Sequence, residues 1–200
     1  MPEFLTAAAI AAVAVFVAEF GDKSQLLILA FATRYPALPV IAGLVLAVIV
    51  ITGLSVVVGA AVGALLPTTL VAVVAGIAFI GVGLWTLRGE DDEDAEAEAE
   101  ASRSGRKTGL ALVLTVAATF VLGELGDKTM LVVFGLAASQ GALPTWIGAV
   151  IGEVGANLLV VALGRTVGTR LDPRTVRLVS AGLFIFGGVL VLVTAMLGGD

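Results

Sequence analysis

Ionisable residues are scarce in this chain, and six of them fall into two copies of one pattern. Glu19-Phe20-Gly21-Asp22-Lys23-Ser24-Gln25 is followed 105 positions later by Glu124-Leu125-Gly126-Asp127-Lys128-Thr129-Met130. Both copies sit inside apolar sequence. A charged side chain at the centre of a bilayer costs roughly 3 kcal/mol on insertion scales, so ionisable groups held there are functional by default. If the segments are helical, Glu19 and Asp22 project from one face at i and i+3, as do Glu124 and Asp127. Ser24 and Thr129 add hydroxyls, and Gln25 adds an amide to the first copy alone. Four carboxylates with hydroxyl support are hard oxygen ligands that suit Ca²⁺ or Mn²⁺. Mg²⁺ fits by ligand type, but it parts reluctantly with its waters.

Charge supports a divalent ligand. Each motif carries two carboxylates and one ammonium, so the pair nets −2 when fully ionised. One divalent cation or two protons would neutralise it, and competition between them for one site is a route to antiport. Lys23 and Lys128 are expected to point away from their own Glu-Asp pairs, holding the carboxylates ionised or acting as a tethered cation. The plainer alternative is that these groups only neutralise one another as buried glue between halves.

Glu153 and Asn157 form a further polar i, i+4 pair whose counterparts at the same offset are Val48 and Thr52. They read either as a proton carrier or supplementary ligand, or as helix-to-helix hydrogen bonding.

The elements that carry these residues follow from composition. The chain is 59% hydrophobic and 14% charged, with a mean hydropathy of +1.12, far more apolar than soluble domains. Its 200 residues divide into six apolar segments, at roughly 4–33, 38–66, 69–88, 108–138, 143–168 and 174–197, each long enough to span a bilayer. The first and fourth are over-long and interrupted at Gly-Asp-Lys, which predicts bending or unwinding there. No basic n-region precedes the first segment, which is read as a mature span. With no Cys and no His, thiolate and imidazole chemistry is excluded. Net charge −5 without a basic cluster speaks against nucleic acid. An enzyme has little support.

The repeat reaches beyond the motif. Ala37-Leu38-Pro39 falls on Ala142-Leu143-Pro144, Gly43 on Gly148, and Gly59 and Gly63 on Gly164 and Gly168. Three spans per copy is an odd number, so the second copy enters the membrane inverted. That is the design of many secondary transporters, whose site lies near the midplane between halves. The expected fold is an all-α integral membrane protein of six transmembrane helices in two inverted three-helix repeats, residues 1–88 and 108–200. An acidic linker, 89–107, runs from Glu90-Asp91-Asp92-Glu93-Asp94 and is expected to be a solvated connector. The nine Lys and Arg outside the motifs all lie at or near the loops after spans 1, 3 and 5. Those loops are therefore expected in the cytoplasm, and both termini outside.

The doubled Glu-φ-Gly-Asp-[Lys/Arg]-[Ser/Thr] pattern resembles the signature of the Uncharacterised Protein Family 0016. That family is also classed as a calcium/manganese:proton antiporter family, and the Golgi transmembrane protein 165 is a relative. The similarity covers nearly the whole chain. It implies a transporter of the cell (inner) membrane that exports Mn²⁺ and/or Ca²⁺ in exchange for H⁺. Cation binding is carried onto Glu19, Asp22, Glu124 and Asp127, with lesser weight on Lys23, Ser24, Gln25, Lys128 and Thr129. The ion is cargo, and no cofactor is implied. Met130 opposite Gln25 makes the halves unequal. A passive cation channel and an exporter of a cationic metabolite such as a basic amino acid stay open as alternatives. So does a homodimer.

Overall fold

The computed structural model describes residues 1–19, 22–88, 99, 101, 107–166 and 173–197. Eight helices run through them: α1 (Pro2–Glu19), α2 (Lys23–Arg34), α3 (Ala37–Leu65), α4 (Thr68–Arg88), α5 (Gly109–Glu124), α6 (Lys128–Gln140), α7 (Ala142–Thr166) and α8 (Pro173–Leu197). Five of the helices are long and apolar enough to cross a membrane alone, and α5 with α6 makes a sixth span bent by 78°.

Leu, Val and Ala occupy every side of most helices, as expected of elements with lipid on one flank and protein on the other. Leu5, Val13, Val50, Ile77, Leu122 and Phe186 are exposed on the outer surface, whereas Glu19, Asp22, Glu124, Asp127, Glu153 and Asn157 are buried. A soluble domain shows the reverse distribution. The chain is an all-α, multi-pass membrane protein, built as two inverted three-helix repeats.

Where one expected span would run over 4–33, two helices stand. α1 ends at Glu19 and α2 starts at Lys23. The fourth span breaks at the matching place, between Glu124 and Lys128. Glycine and a charged triplet favour this, because the backbone freed at the break is re-satisfied locally. Asp22 N–H donates to Glu19 O at 3.0 Å, and Asp127 N–H donates to Glu124 O at 3.1 Å. Gly126 has φ +82°, a left-handed conformation that glycine adopts readily. Its counterpart Gly21 lies outside the described residues.

The repeats exchange partners. α1 packs on α7 and α5 packs on α3, while α4 pairs with α8. The two crossed contacts are built from equivalent atoms. A Cβ added to Gly43 would come within 2.7 Å of Val113 O and Val116 Cβ. At Gly148 it would meet Ala8 O, and Ala11 Cβ at 2.8 Å. Ala8 and Ala11 are the repeat counterparts of Val113 and Val116. Glycine there lets backbones approach closely, which is how helices associate in lipid. Gly59 likewise faces Phe134 O, and Gly63 faces Ala138 O, both on α6.

Of the expected linker, Ala99, Ala101 and Lys107 are described; the acidic run Glu90–Asp94 and Arg103 and Arg106 lie outside the described residues, as do Gly168 and Arg170. Ala101 is buried, and its carbonyl accepts from Tyr35 Oη at 3.3 Å.

Candidate cation site

The helix breaks decide where the motif side chains go. Glu19 and Glu124 are the last residues of α1 and α5, and Asp22 and Asp127 are the N-caps of α2 and α6. At the break expected from Gly-Asp-Lys, a tight turn rather than one helix face holds each Glu-Asp pair together, because the chain leaves the helix at Glu and re-enters at Asp. The Asp carboxylates thereby stand at helix N-termini, where the backbone favours negative charge.

Glu19, Asp22 and Glu124 each offer a carboxylate oxygen, and these lie within 4.8 Å of one another. Two come from the first repeat and one from the second, so the cluster exists only where the halves meet. All three are buried: Glu19 is 0%, Asp22 7% and Glu124 4% exposed. The fourth motif carboxylate, Asp127, is buried beside them. Its Oδ2 accepts from the Thr129 amide at 3.5 Å, capping its own helix.

Glu19 collects the neutral donors. Ser24 Oγ donates to its Oε2 at 2.6 Å, and Thr129 Oγ1 donates to its Oε1 at 2.6 Å. Asn157 Nδ2 adds a bond to Oε2 at 3.4 Å. Both motif hydroxyls therefore serve one glutamate, although the sequence offers one to each. Glu124, its repeat counterpart, keeps an Oε2 with no hydrogen-bond partner among the described residues, and so does Asp22 Oδ2. Gln25 is buried in the first turn of α2, where its N–H donates to Asp22 O at 3.1 Å.

Lys128 Nζ forms an ion pair with Asp22 of the opposite repeat. Sequence spacing gave no hint of that partner. The Lys23 side chain lies outside the described residues.

Glu153 and Asn157 on α7 both reach the centre. Asn157 is fully buried and bonds Glu19, while its Nδ2 also donates to Glu153 O at 3.0 Å. The Glu153 carboxylate lines a cavity of about 10 Å³ with Thr52 and Ser55 of α3, Glu124 and Thr129. Thr52 and Ser55 were not singled out as site residues from sequence. The available signal was a pair of hydroxyls at i, i+3 within an otherwise apolar helix.

The arrangement is a set of buried oxygen acceptors contributed by both repeats, with Lys128 clamped onto it. A family model described as "Divalent cation/proton antiporter GDT1" matches residues 7–94 and 112–198, both repeats in turn. The chain belongs to the GDT1 family. Among its GDT1 relatives, "GDT1-like protein 5" of Arabidopsis thaliana is 29% identical over 90% of this chain and 92% of its own length. A Vibrio cholerae protein named "Putative manganese exporter" is 30% identical, covering 88% of this chain and 86% of its own. "GDT1-like protein sll0615" of Synechocystis is 31% identical over 93% and 96%. No solved structure matches the chain significantly. The family is one of cation transporters, and the doubled motif follows its two-part match.

Proposed function

We propose that this GDT1 protein exports Mn²⁺ and/or Ca²⁺ from the cytoplasm in exchange for protons, at the site formed by Glu19, Asp22, Glu124 and Asp127. The observation that carries the reading is the approach of Glu19, Asp22 and Glu124 oxygens to within 4.8 Å across the repeat boundary. Three buried carboxylates at that separation repel one another strongly unless a cation or protons intervene. Hard oxygen donors favour Ca²⁺ and Mn²⁺ among divalent ions, and the name of the Vibrio cholerae relative supports manganese.

The ion pair between Lys128 and Asp22 supplies a resting state. With no metal present, the ammonium sits on Asp22. An arriving divalent ion takes over that carboxylate together with Glu19 and Glu124, and Lys128 is released. Two protons restore neutrality when the metal leaves, so the halves, residues 1–88 and 108–200, return without net charge. Rocking of the halves around a fixed site gives alternating access. The break turns at 19–22 and 124–127 are where such a motion would hinge. Both termini face outward and the basic loops face the cytoplasm, following the distribution of Lys and Arg.

The small cavity beside the cluster, about 10 Å³, favours a bare ion over an amino-acid-sized cation, since that volume is about one water-sized sphere. The test is transport by the full chain in proteoliposomes. An imposed pH gradient is expected to drive Mn²⁺ uphill, which a passive channel does not allow. Glu19→Gln and Asp127→Asn are each expected to abolish metal-dependent proton movement. Near-normal exchange in both variants would remove the site assignment.

A further inference from the structure

The cavity lined by residues of α3, α5, α6 and α7 is set apart by hydroxyls whose protons are already committed elsewhere. Thr52 Oγ1 donates its proton to Val48 O at 2.5 Å, and Ser55 Oγ donates to Ile51 O at 2.9 Å. Thr129 Oγ1 donates to Glu19 Oε1. Each hydroxyl has a single proton, so none of the three has one left to donate. Glu124 Oε2 and Glu153 Oε2 complete the wall, and neither has a hydrogen-bond partner among the described residues. Glu153 is 2% exposed, so its carboxylate is not satisfied by bulk solvent.

A buried polar atom without a partner is costly, and two such carboxylate oxygens, of Glu124 and Glu153, belong to residues that line this cavity of about 10 Å³ together with three hydroxyl residues and the apolar Ile51, Met130 and Val133. That volume admits at most a single water. A divalent cation satisfies bare carboxylate oxygens without needing a donor. The geometry points to a second cation subsite, formed by Glu124, Glu153, Thr52, Ser55 and Thr129, adjoining the Glu19-Asp22-Glu124 cluster and sharing Glu124 with it. Its ligand is a dehydrated, oxygen-seeking divalent ion. Because Glu124 belongs to both sets, one ion moves between two resting places.

The subsite has no mirror image. The 105-residue offset places Val48 at the position of Glu153, Asn157 at that of Thr52 and Val160 at that of Ser55. On that side the Asn157 amide donates to Glu19, where the second repeat leaves an open carboxylate. The ion path is consequently lopsided: the first-repeat flank is closed by a donor, and the second-repeat flank continues into the cavity. The fold is doubled, but the route through it is not.

This inference rests on the cation-exchange reading, and the experiment separates the two. Mn²⁺ binding is measured by equilibrium dialysis on the purified full chain in nanodiscs, with metal-free melting as the check on folding. Glu153→Gln is expected to weaken Mn²⁺ binding about 10- to 100-fold, with stoichiometry still one ion per chain. The Thr52→Val/Ser55→Ala double variant, which leaves all carboxylates in place, is expected to weaken it as well. Wild-type affinity in Glu153→Gln, or in the double variant, overturns the subsite; if Glu153→Gln does not fold, the double variant alone decides. Simultaneous binding of two ions by the wild type overturns the shared-ligand reading. A Glu153 that only holds helices together would lower melting without changing affinity. Glu19→Gln is measured alongside: wild-type binding there would remove the main site instead, so the failures are distinct.

Discussion

Lys128 and Asp22 show what a single pair contributes at this site. The ammonium of one repeat lies on a carboxylate of the other, and both side chains are largely buried. Removing one member of a buried pair leaves the other charge uncompensated, at a penalty of about 3–5 kcal/mol. Lys128→Met is therefore expected to lower the melting temperature of the metal-free protein. If the divalent ion takes the place of the ammonium, Mn²⁺ restores more stability to the variant than to the wild type, because a ligand stabilises in proportion to its preference for the folded state. Thermal melting with and without Mn²⁺ reads this directly, and an equal Mn²⁺-induced shift in both proteins would refute the displacement step. The neighbouring Glu19 behaves differently: its three donors, Ser24, Thr129 and Asn157, fix the carboxylate orientation before any ion arrives.

At the scale of the helices, the decisive elements are the crossed contacts of α5 with α3 and of α1 with α7. Gly43 and Gly148 sit where a Cβ would press on backbone oxygen and on Cβ atoms of the facing helix, and backbone cannot rotate aside as a long side chain can. Gly43→Val and Gly148→Val are each expected to destabilise the protein by about 1–3 kcal/mol, the usual effect of overpacking. Since the contacts are repeat equivalents, the two losses should be of similar size. Unfolding in detergent would measure both, and an unchanged midpoint in either variant would contradict this packing. The same glycines set how far apart α1 and α5 end, and thus the spacing of Glu19 and Glu124. A variant that folds should still exchange metal more slowly.

For the whole molecule, the question is charge. Exchange of one divalent cation for two protons moves no net charge, so an antiporter built this way is electroneutral. A membrane potential imposed on proteoliposomes at fixed pH gradient is expected to leave the initial Mn²⁺ rate unchanged. A rate that follows voltage would rule out the two-to-one exchange. The net of −2 over the two motifs, on which this expectation stands, counts every motif carboxylate and lysine as ionised.

Six spans, the doubling, the inversion and the breaks at Gly-Asp-Lys were all legible in the chain itself. They depend on local quantities, such as the length of an apolar run, the position of a charge and the parity of three, that need no knowledge of neighbours. Convergence of all four motif carboxylates was expected, since burial of charge in lipid leaves little choice but a shared interior site; Glu19, Asp22 and Glu124 come within 4.8 Å of one another, while Asp127 caps its own helix. Partner choice was different. Two nearly identical motifs present equivalent hydroxyls, lysines and carboxylates, and nothing in either copy says which will pair with which. Only the tertiary structure decides it, and it also brings Thr52 and Ser55 of α3 to the cavity and Asn157 of α7 to Glu19. In the folded chain both hydroxyls bond Glu19, Lys128 pairs with Asp22, and Glu124 and Glu153 line a cavity, because hydrogen bonds in a dry interior form only between groups that the backbone has already brought within reach.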